Sequence, residues 1–250
     1  NAHLFLKPRL TEQIPVTVPV PEVDIQKCTG CGKCGEVCAY HAIAVIPSPN
    51  KKPQPLIFPH LCHACGACTL LCPEGAIREK QRDIGVIEKG DTGNIRFIHG
   101  KMNVGEVLSP LIIRRVKGMV HSTELVIIDA PPGTSCPVVA AIRGVDFCVL
   151  VTEPTPFGLH DLTLAVDVVR QMGIPFGVVI NRAGLGNNAA EDYCCAENIP
   201  VLARIPFDRK IAVCYSGGEM LIGKIQGMAG VCHELYENIC RVKNEADRRS

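Results

Sequence analysis

The sequence predicts an α/β fold: a doubly wound, mostly parallel sheet that carries a second, smaller α+β module. Short apolar runs at 125–128, 147–151, 176–180 and 201–205 alternate with helical patterns, which is the rhythm of buried parallel strands joined by crossover helices. A cysteine-rich segment repeats itself, with Cys28, Cys31, Cys34 and Cys38 mapping onto Cys62, Cys65, Cys68 and Cys72. Gly32 then maps onto Gly66 and Ala42-Ile43 onto Ala76-Ile77, so more than the cysteines repeats. At 47% hydrophobic and 20% charged, the 250 residues are apolar enough to bury a core.

Taken in order, residues 1–22 place Pro8, Pro15, Pro19 and Pro21 around Ile14, Val16, Val18 and Val20, which suits an extended edge strand that links two modules. Residues 23–80 hold the two repeat copies, with 47–59 as an insertion between them. Residues 83–100 alternate on both sides of Lys89-Gly90-Asp91-Thr92-Gly93, a hairpin signal. A helical pattern (Leu111, Ile112, Arg115, Val116, Met119) begins after Ser109-Pro110, and the clearest later helix covers 159–172. The tail after Leu221 reads as one or two helices ending in mixed charge. The division expected is a remnant and linker at 1–22, a cluster-binding insert at 23–80, and the α/β domain at 81–250.

A formal net charge of +1, from 26 basic and 25 acidic residues, argues against the concentrated positive field that nucleic acid or an anionic membrane requires, and leaves room only for a local patch. No apolar run reaches the roughly 18 residues of a membrane span, and the first residues lack a signal-peptide layout. The expectation is a soluble cytoplasmic protein. The chain starts at Asn1 rather than Met and reads as a fragment whose N-terminus is missing. Fifteen cysteines, eight of them from Cys28 to Cys72, mean metal or redox chemistry more often than disulfides in a cytosolic chain.

Both repeat copies have the spacing C-x2-C-x2-C-x3-C, and the second continues with Pro73, the bacterial-ferredoxin run for [4Fe–4S] ligation. Closely spaced thiolates wrap three corners of a cuboidal cluster while the fourth corner is held from elsewhere. Small residues at Gly30, Gly32, Gly66 and Ala67 let the backbone approach the sulfides. In two-cluster ferredoxins the fourth cysteine of each run ligates the other cluster. One cluster then takes Cys28, Cys31, Cys34 and Cys72, and the other Cys62, Cys65, Cys68 and Cys38. Zinc sites favour two C-x2-C pairs across a longer spacer, so two [4Fe–4S] clusters are the better reading. Ala39 stands where a proline is expected after the first run, but that proline is not a ligand.

In the second module, polar residues follow the apolar runs: Asp129 after 125–128, Glu153 after 149–152, Asn181 after 178–180, and Pro206 with Asp208 after 203–205. Ligands of open α/β sheets bind beyond the carboxyl ends of the strands. A hydrophobic strand ending in Asp is the Walker B layout that holds Mg²⁺ or its waters, and Gly133 can bring a backbone N–H to a terminal phosphate. Each residue also has a plainer use, as a helix cap or turn former. Together, in order, they favour a nucleotide site. Cys148 falls in a core strand as packing, Cys136 is expected to pack at a helix start, and Cys194, Cys195, Cys214, Cys232 and Cys240 show no ligand spacing. His41, His60 and His63 flank the clusters, where they either tune potential or face solvent.

Asp129-Ala130-Pro131-Pro132-Gly133 resembles the D-x-P-x-G switch II of the MinD/ParA/nitrogenase-iron-protein class of P-loop ATPases. Val179-Ile180-Asn181-Arg182 resembles their adenine-contacting strand end, and Ile205-Pro206-Phe207-Asp208 the following base-site loop. The subgroup with an inserted ferredoxin domain is matched most fully, at 129–137 and 151–161, and the resemblance runs along almost the whole chain. It implies a P-loop NTPase-like sheet with a bacterial ferredoxin-like insert, ATP and Mg²⁺ as ligands, Asp129 and Gly133 as catalytic switch residues, and Asn181, Arg182, Pro206 and Asp208 at the base. That family's K-G-G-x-G-K-[ST] loop is absent from the 250 residues, and the resemblance places it upstream of Asn1. The leading expectation is an ATPase coupling nucleotide state to electron transfer, homodimeric with ATP and working with a redox partner protein. The alternatives are a plain electron carrier and a cluster scaffold, and two intact ferredoxin runs argue against the last.

Overall fold

The computed structural model describes residues 2–47, 52–120 and 125–248. In chain order its elements are α1 (Ala2–Leu6), β1 (Arg9–Val23), α2 (Lys33–Glu36), β2 (Ile43–Ile46), β3 (Gln54–Ile57), α3 (Ala67–Leu70), β4 (Ile77–Thr92), β5 (Ile95–Met102) and α4 (Ser109–Lys117). There follow α5 (Cys136–Ile142), β6 (Cys148–Thr152), α6 (Pro156–Gln171), β7 (Phe176–Ala183), α7 (Ala189–Ala196), β8 (Val201–Pro206), α8 (Arg209–Ser216) and α9 (Met228–Asp247). The fold is mixed α/β, with one parallel sheet. Two compact units divide it: Pro8–His121, and Asn1–Lys7 together with Ser122–Ser250. The sequence boundaries at 22 and 80 fall inside the β1–β4 ladder, because the strand before the first cysteine run pairs with the strand after the second, with register shifts at Leu10/Glu12 and Val16/Thr17.

In the unit Pro8–His121, the sheet has the order β1-β4-β5, all antiparallel. Pro15, Pro19 and Pro21 carry no N–H, and β1 accommodates them as an edge strand. Alternation then sends Val16, Val18 and Val20 into a core with Ile84, Ile87, Leu108 and Ile112. The β4–β5 hairpin forms where the sequence predicts it, but Lys89–Thr92 stay in the ladder and the turn tightens to Gly93-Asn94. Helix α4 lies close on β4 and β5 because Gly85 and Gly100 are bare there. A Cβ at Gly100 would come within 2.3 Å of Ile112 Cγ2. Under the hairpin, Arg82 donates to the buried carboxylate of Glu106, which also accepts from the Val107 N–H at 3.1 Å.

The unit with 122–250 is built on the parallel sheet β6-β7-β8, in which the apolar runs at 147–151, 176–180 and 201–205 become strands as predicted. Val178 and Ile180 meet Leu162 and Val166 of α6 and Cys194 of α7, whereas Val179, Leu202 and Ala203 meet Val231, Leu235 and Ile239 of α9. Helix α6 starts at Thr155, whose hydroxyl accepts from the Gly158 N–H at 3.0 Å, and the tail after 221 yields the 20-residue α9.

The run 125–128 is a correction. These residues take no strand, and Leu125 and Ile127 are 73% and 87% exposed. An apolar run becomes a strand only by pairing with a neighbour, and the composition of a run does not supply one. Cys136 is a second correction, for it is exposed at the first position of α5 rather than packed. Cys148 is buried in β6 as expected, and burial pushes its thiol up. Among the described residues, no helix is long and apolar enough to cross a membrane.

Candidate iron–sulfur and nucleotide sites

Each cysteine run folds into a loop followed by one short helical turn. Gly32 (φ 84°) and Gly66 (φ 74°) occupy the left-handed region directly before α2 and α3, a conformation that suits glycine. Gly30 is needed for a different reason, since a Cβ there would lie 2.6 Å from the Pro53 carbonyl oxygen.

The eight thiols line two separate pockets. One is lined by Cys28, Cys31 and Cys34 of the first run and Cys72 of the second. The other is lined by Cys62, Cys65 and Cys68 of the second run and Cys38 of the first. The fourth cysteine of each run therefore reaches the pocket of the other. Its sulfur accepts a backbone N–H in both copies: Ala42 N donates to Cys38 Sγ at 3.2 Å and Ala76 N to Cys72 Sγ at 3.3 Å. Ala64 N donates to Cys62 Sγ at 3.4 Å. These donors leave the three sulfurs hydrogen-bonded to the backbone. Burial pushes the Cys34 and Cys68 thiols up. Among the described residues, no three His, Cys, Asp or Glu side chains converge as they would on a single ion. Two roomy, sulfur-lined pockets with inward N–H groups fit cubane clusters.

A contact that sequence reading missed lies at the second pocket. The rings of Tyr40 and His63 are stacked, with centroids 3.7 Å apart and planes within 6°. Both residues line that pocket, Tyr40 from the first run and His63 from the second. In sequence His63 is only a flanking residue, because spacing carries no sign of a cross-repeat contact.

At the other unit's strand ends, Ala183 pairs with Pro206 after an irregularity in the register that spans Asn181 and Arg182, and Asp208 follows two residues beyond Pro206. Phe207 N donates to the Ala183 carbonyl at 3.1 Å and ties the two ends together. Arg182 takes a left-handed backbone (φ 53°), uncommon for a non-glycine residue, and its guanidinium donates to Glu153 at 3.3 Å. Asp208 is the N-cap of α8, accepting from Lys210 N at 2.8 Å. Asp129 and Gly133 (φ 88°) lie in the irregular segment 125–135 and are not at a strand end, because the run before them is no strand.

Residues 27–76 match the family described as a 4Fe-4S dicluster domain, and the chain is an iron–sulfur protein with a 4Fe–4S domain. The chain is 35% identical over 164 residues to the uncharacterized protein MJ0579 of Methanocaldococcus jannaschii, a stretch covering 65% of this chain and 56% of that one. It is 31% identical over 216 residues to the uncharacterized protein MJ0578 of the same organism, covering 85% of this chain and 71% of the relative. It thus spans little more than half the length of the first of these relatives. Over 121 residues it is 25% identical to the iron-sulfur cluster carrier protein of Pyrococcus horikoshii, covering 40% of this chain and 41% of that protein. That relationship is distant and covers less than half of either chain.

Proposed function

We propose that this chain, which belongs to the family of the Methanocaldococcus jannaschii protein MJ0578, carries electrons through two [4Fe–4S] clusters under the control of a MinD-like nucleotide switch. The observation that carries the reading is the sorting of the eight cysteines into two pockets, three from one run and one from the other in each. Bound clusters supply one-electron chemistry. Cys28, Cys31, Cys34 and Cys72 hold one, and Cys38, Cys62, Cys65 and Cys68 the other. The chain supplies thiolates, the N–H donors that stabilise them, and the loops that space them.

In the same proposal the unit with 122–250 belongs to a doubly wound P-loop-type domain, into which the cysteine-bearing segment is inserted. Asn181, Arg182, Pro206 and Asp208 face the base of ATP, Asp129 holds Mg²⁺ through its waters, and Gly133 senses the terminal phosphate. The 250 residues contain no K-G-G-x-G-K-[ST] run, so this chain contributes only base-facing and switch residues. A nucleotide does work through its differential affinity for two conformations, and loss of the γ-phosphate releases switch loops in P-loop proteins. ATP then favours a cytoplasmic homodimer that presents the clusters to a redox partner, with a coupling of about 1–3 kcal/mol.

Anaerobic purification tests the first half: about eight iron and eight sulfides per chain are expected, and stoichiometric zinc without visible charge-transfer absorption would sink the reading. For the second half, the complete protein is assayed for cluster potential, partner electron transfer and oligomeric state with ATP, with ADP and with neither. Identical values in all three conditions, unchanged in Asp129→Asn, mean that the modules are merely fused. Similarity to a named cluster carrier supports a second reading, cluster delivery. Transfer of intact clusters to an apo-ferredoxin faster than their loss to a chelator would favour it over electron carriage.

A further inference from the structure

The internal repeat supplies its own control, because each residue of one pocket has a counterpart in the other. Tyr40 corresponds to Glu74 and His63 to Thr29, by the register that aligns Cys28 with Cys62. The structure keeps that correspondence in space. Thr29 and Glu74 line the pocket of Cys28, Cys31, Cys34 and Cys72, while His63 and Tyr40 line the pocket of Cys38, Cys62, Cys65 and Cys68. At equivalent places, then, one pocket has a hydroxyl and a carboxylate and the other has two stacked rings; the ringed pocket is also lined by Thr69 and Glu79, and the other by Lys33. Tyr40 is 46% exposed, so the stack meets solvent as well as lining the pocket.

Reducing a cluster held by four thiolates adds negative charge, which water and other polar groups stabilise and an apolar cover does not. Thr29 and Lys33 offer hydrogen-bond donors at one site, whereas two rings cover part of the other, where the Glu79 carboxylate opposes added negative charge. We propose that the Tyr40–His63 stack makes the two iron–sulfur sites unequal, shielding the Cys38/Cys62/Cys65/Cys68 site so that a cluster there accepts an electron less readily than its neighbour. The first electron to enter therefore resides at Cys28/Cys31/Cys34/Cys72, which gives transfer within the unit a direction. This inference rests on the two-cluster reading.

The test is a reductive titration of the anaerobic holoprotein with Ti(III) citrate, each Ti(III) giving one electron to one cluster and becoming Ti(IV), with no proton moved. Spin quantification by electron paramagnetic resonance reads the result. Two resolved steps are expected. Tyr40→Ser combined with His63→Ser moves the lower-potential step toward the other by at least tenfold in the equilibrium, about 59 mV for one electron, and leaves the other step in place. Tyr40→Phe, which keeps a ring, leaves both steps where they are. Should the double serine variant fail to load its second cluster, the reciprocal graft decides. Thr29→His with Glu74→Tyr lowers the higher-potential step relative to Glu74→Gln, which controls for the lost charge. Two indistinguishable steps in the wild type, movement of the higher step in the serine variant, or no movement in either the serine variant or the graft overturns the inference. Iron analysis of the same samples separates the causes: eight irons with equal steps overturns the asymmetry alone, and four or fewer in the wild type overturns the two-cluster reading itself.

Discussion

The unit Pro8–His121 and the unit with 122–250 assemble their candidate sites by different routes. In the first, six of the eight thiols come in triplets within seven residues, and local loops set most of each pocket; only the fourth cysteine arrives from the other copy. In the second, the ends of β7 and β8, at Ala183 and Pro206, are 23 positions apart and meet only through the parallel pairing of the two strands. The first kind of site is nearly a property of sequence spacing. The second exists only as a property of strand order, and it depends on the packed sheet beneath it.

The largest effect that would break this comparison is loss of cysteine ligands. Cys34→Ala and Cys68→Ala should each remove one cluster and leave about half the iron, while Asp208→Ala leaves iron content unchanged. Iron and sulfide analysis checks all three, and loss of both clusters in either cysteine variant would show that the pockets are not separable.

Next in size is the Arg82–Glu106 pair, with the Glu106 side chain 2% exposed. Glu106→Gln should cost about 3–5 kcal/mol by leaving Arg82 charged and poorly paired. Hydrogen exchange should show the loss in β4 and β5 and not in β7. Replacing both partners by apolar residues, Arg82→Met with Glu106→Leu, should recover most of it.

A smaller cost, about 1–3 kcal/mol, is expected for Gly100→Ala, whose methyl would collide with Ile112. Pairing it with Ile112→Ala, which removes the colliding Cγ2, should give less than the sum of the two single costs in urea unfolding, since each change relieves the other.

Smallest is Thr155→Ala, which removes the hydroxyl cap of α6 and should cost about 1 kcal/mol. Thermal unfolding followed by helix circular dichroism reads it. A null result there would mean that α6 is held by its buried face, Leu162, Val166 and Val169, rather than by its cap.

Several features were legible in the residues alone. Alternation of Val16, Val18 and Val20 marks a half-buried strand, three apolar runs mark the parallel sheet, and the repeated cysteine spacing marks two sulfur-lined loops. These are patterns of period and spacing, and backbone geometry converts them directly into faces and loops. What only the tertiary structure decided is who pairs with whom. The ladder from β1 to β4 draws residues 9–22 and 81–92 into the cysteine-bearing unit, across boundaries that composition places at 22 and 80. Residues 125–128, as apolar as the true strands, remain exposed outside the sheet, since a strand is completed by a neighbour's hydrogen bonds and not by its own side chains. The Tyr40–His63 stack joins residues from different repeat copies. A contact of that kind depends on the relative placement of two loops, a quantity that no local pattern encodes.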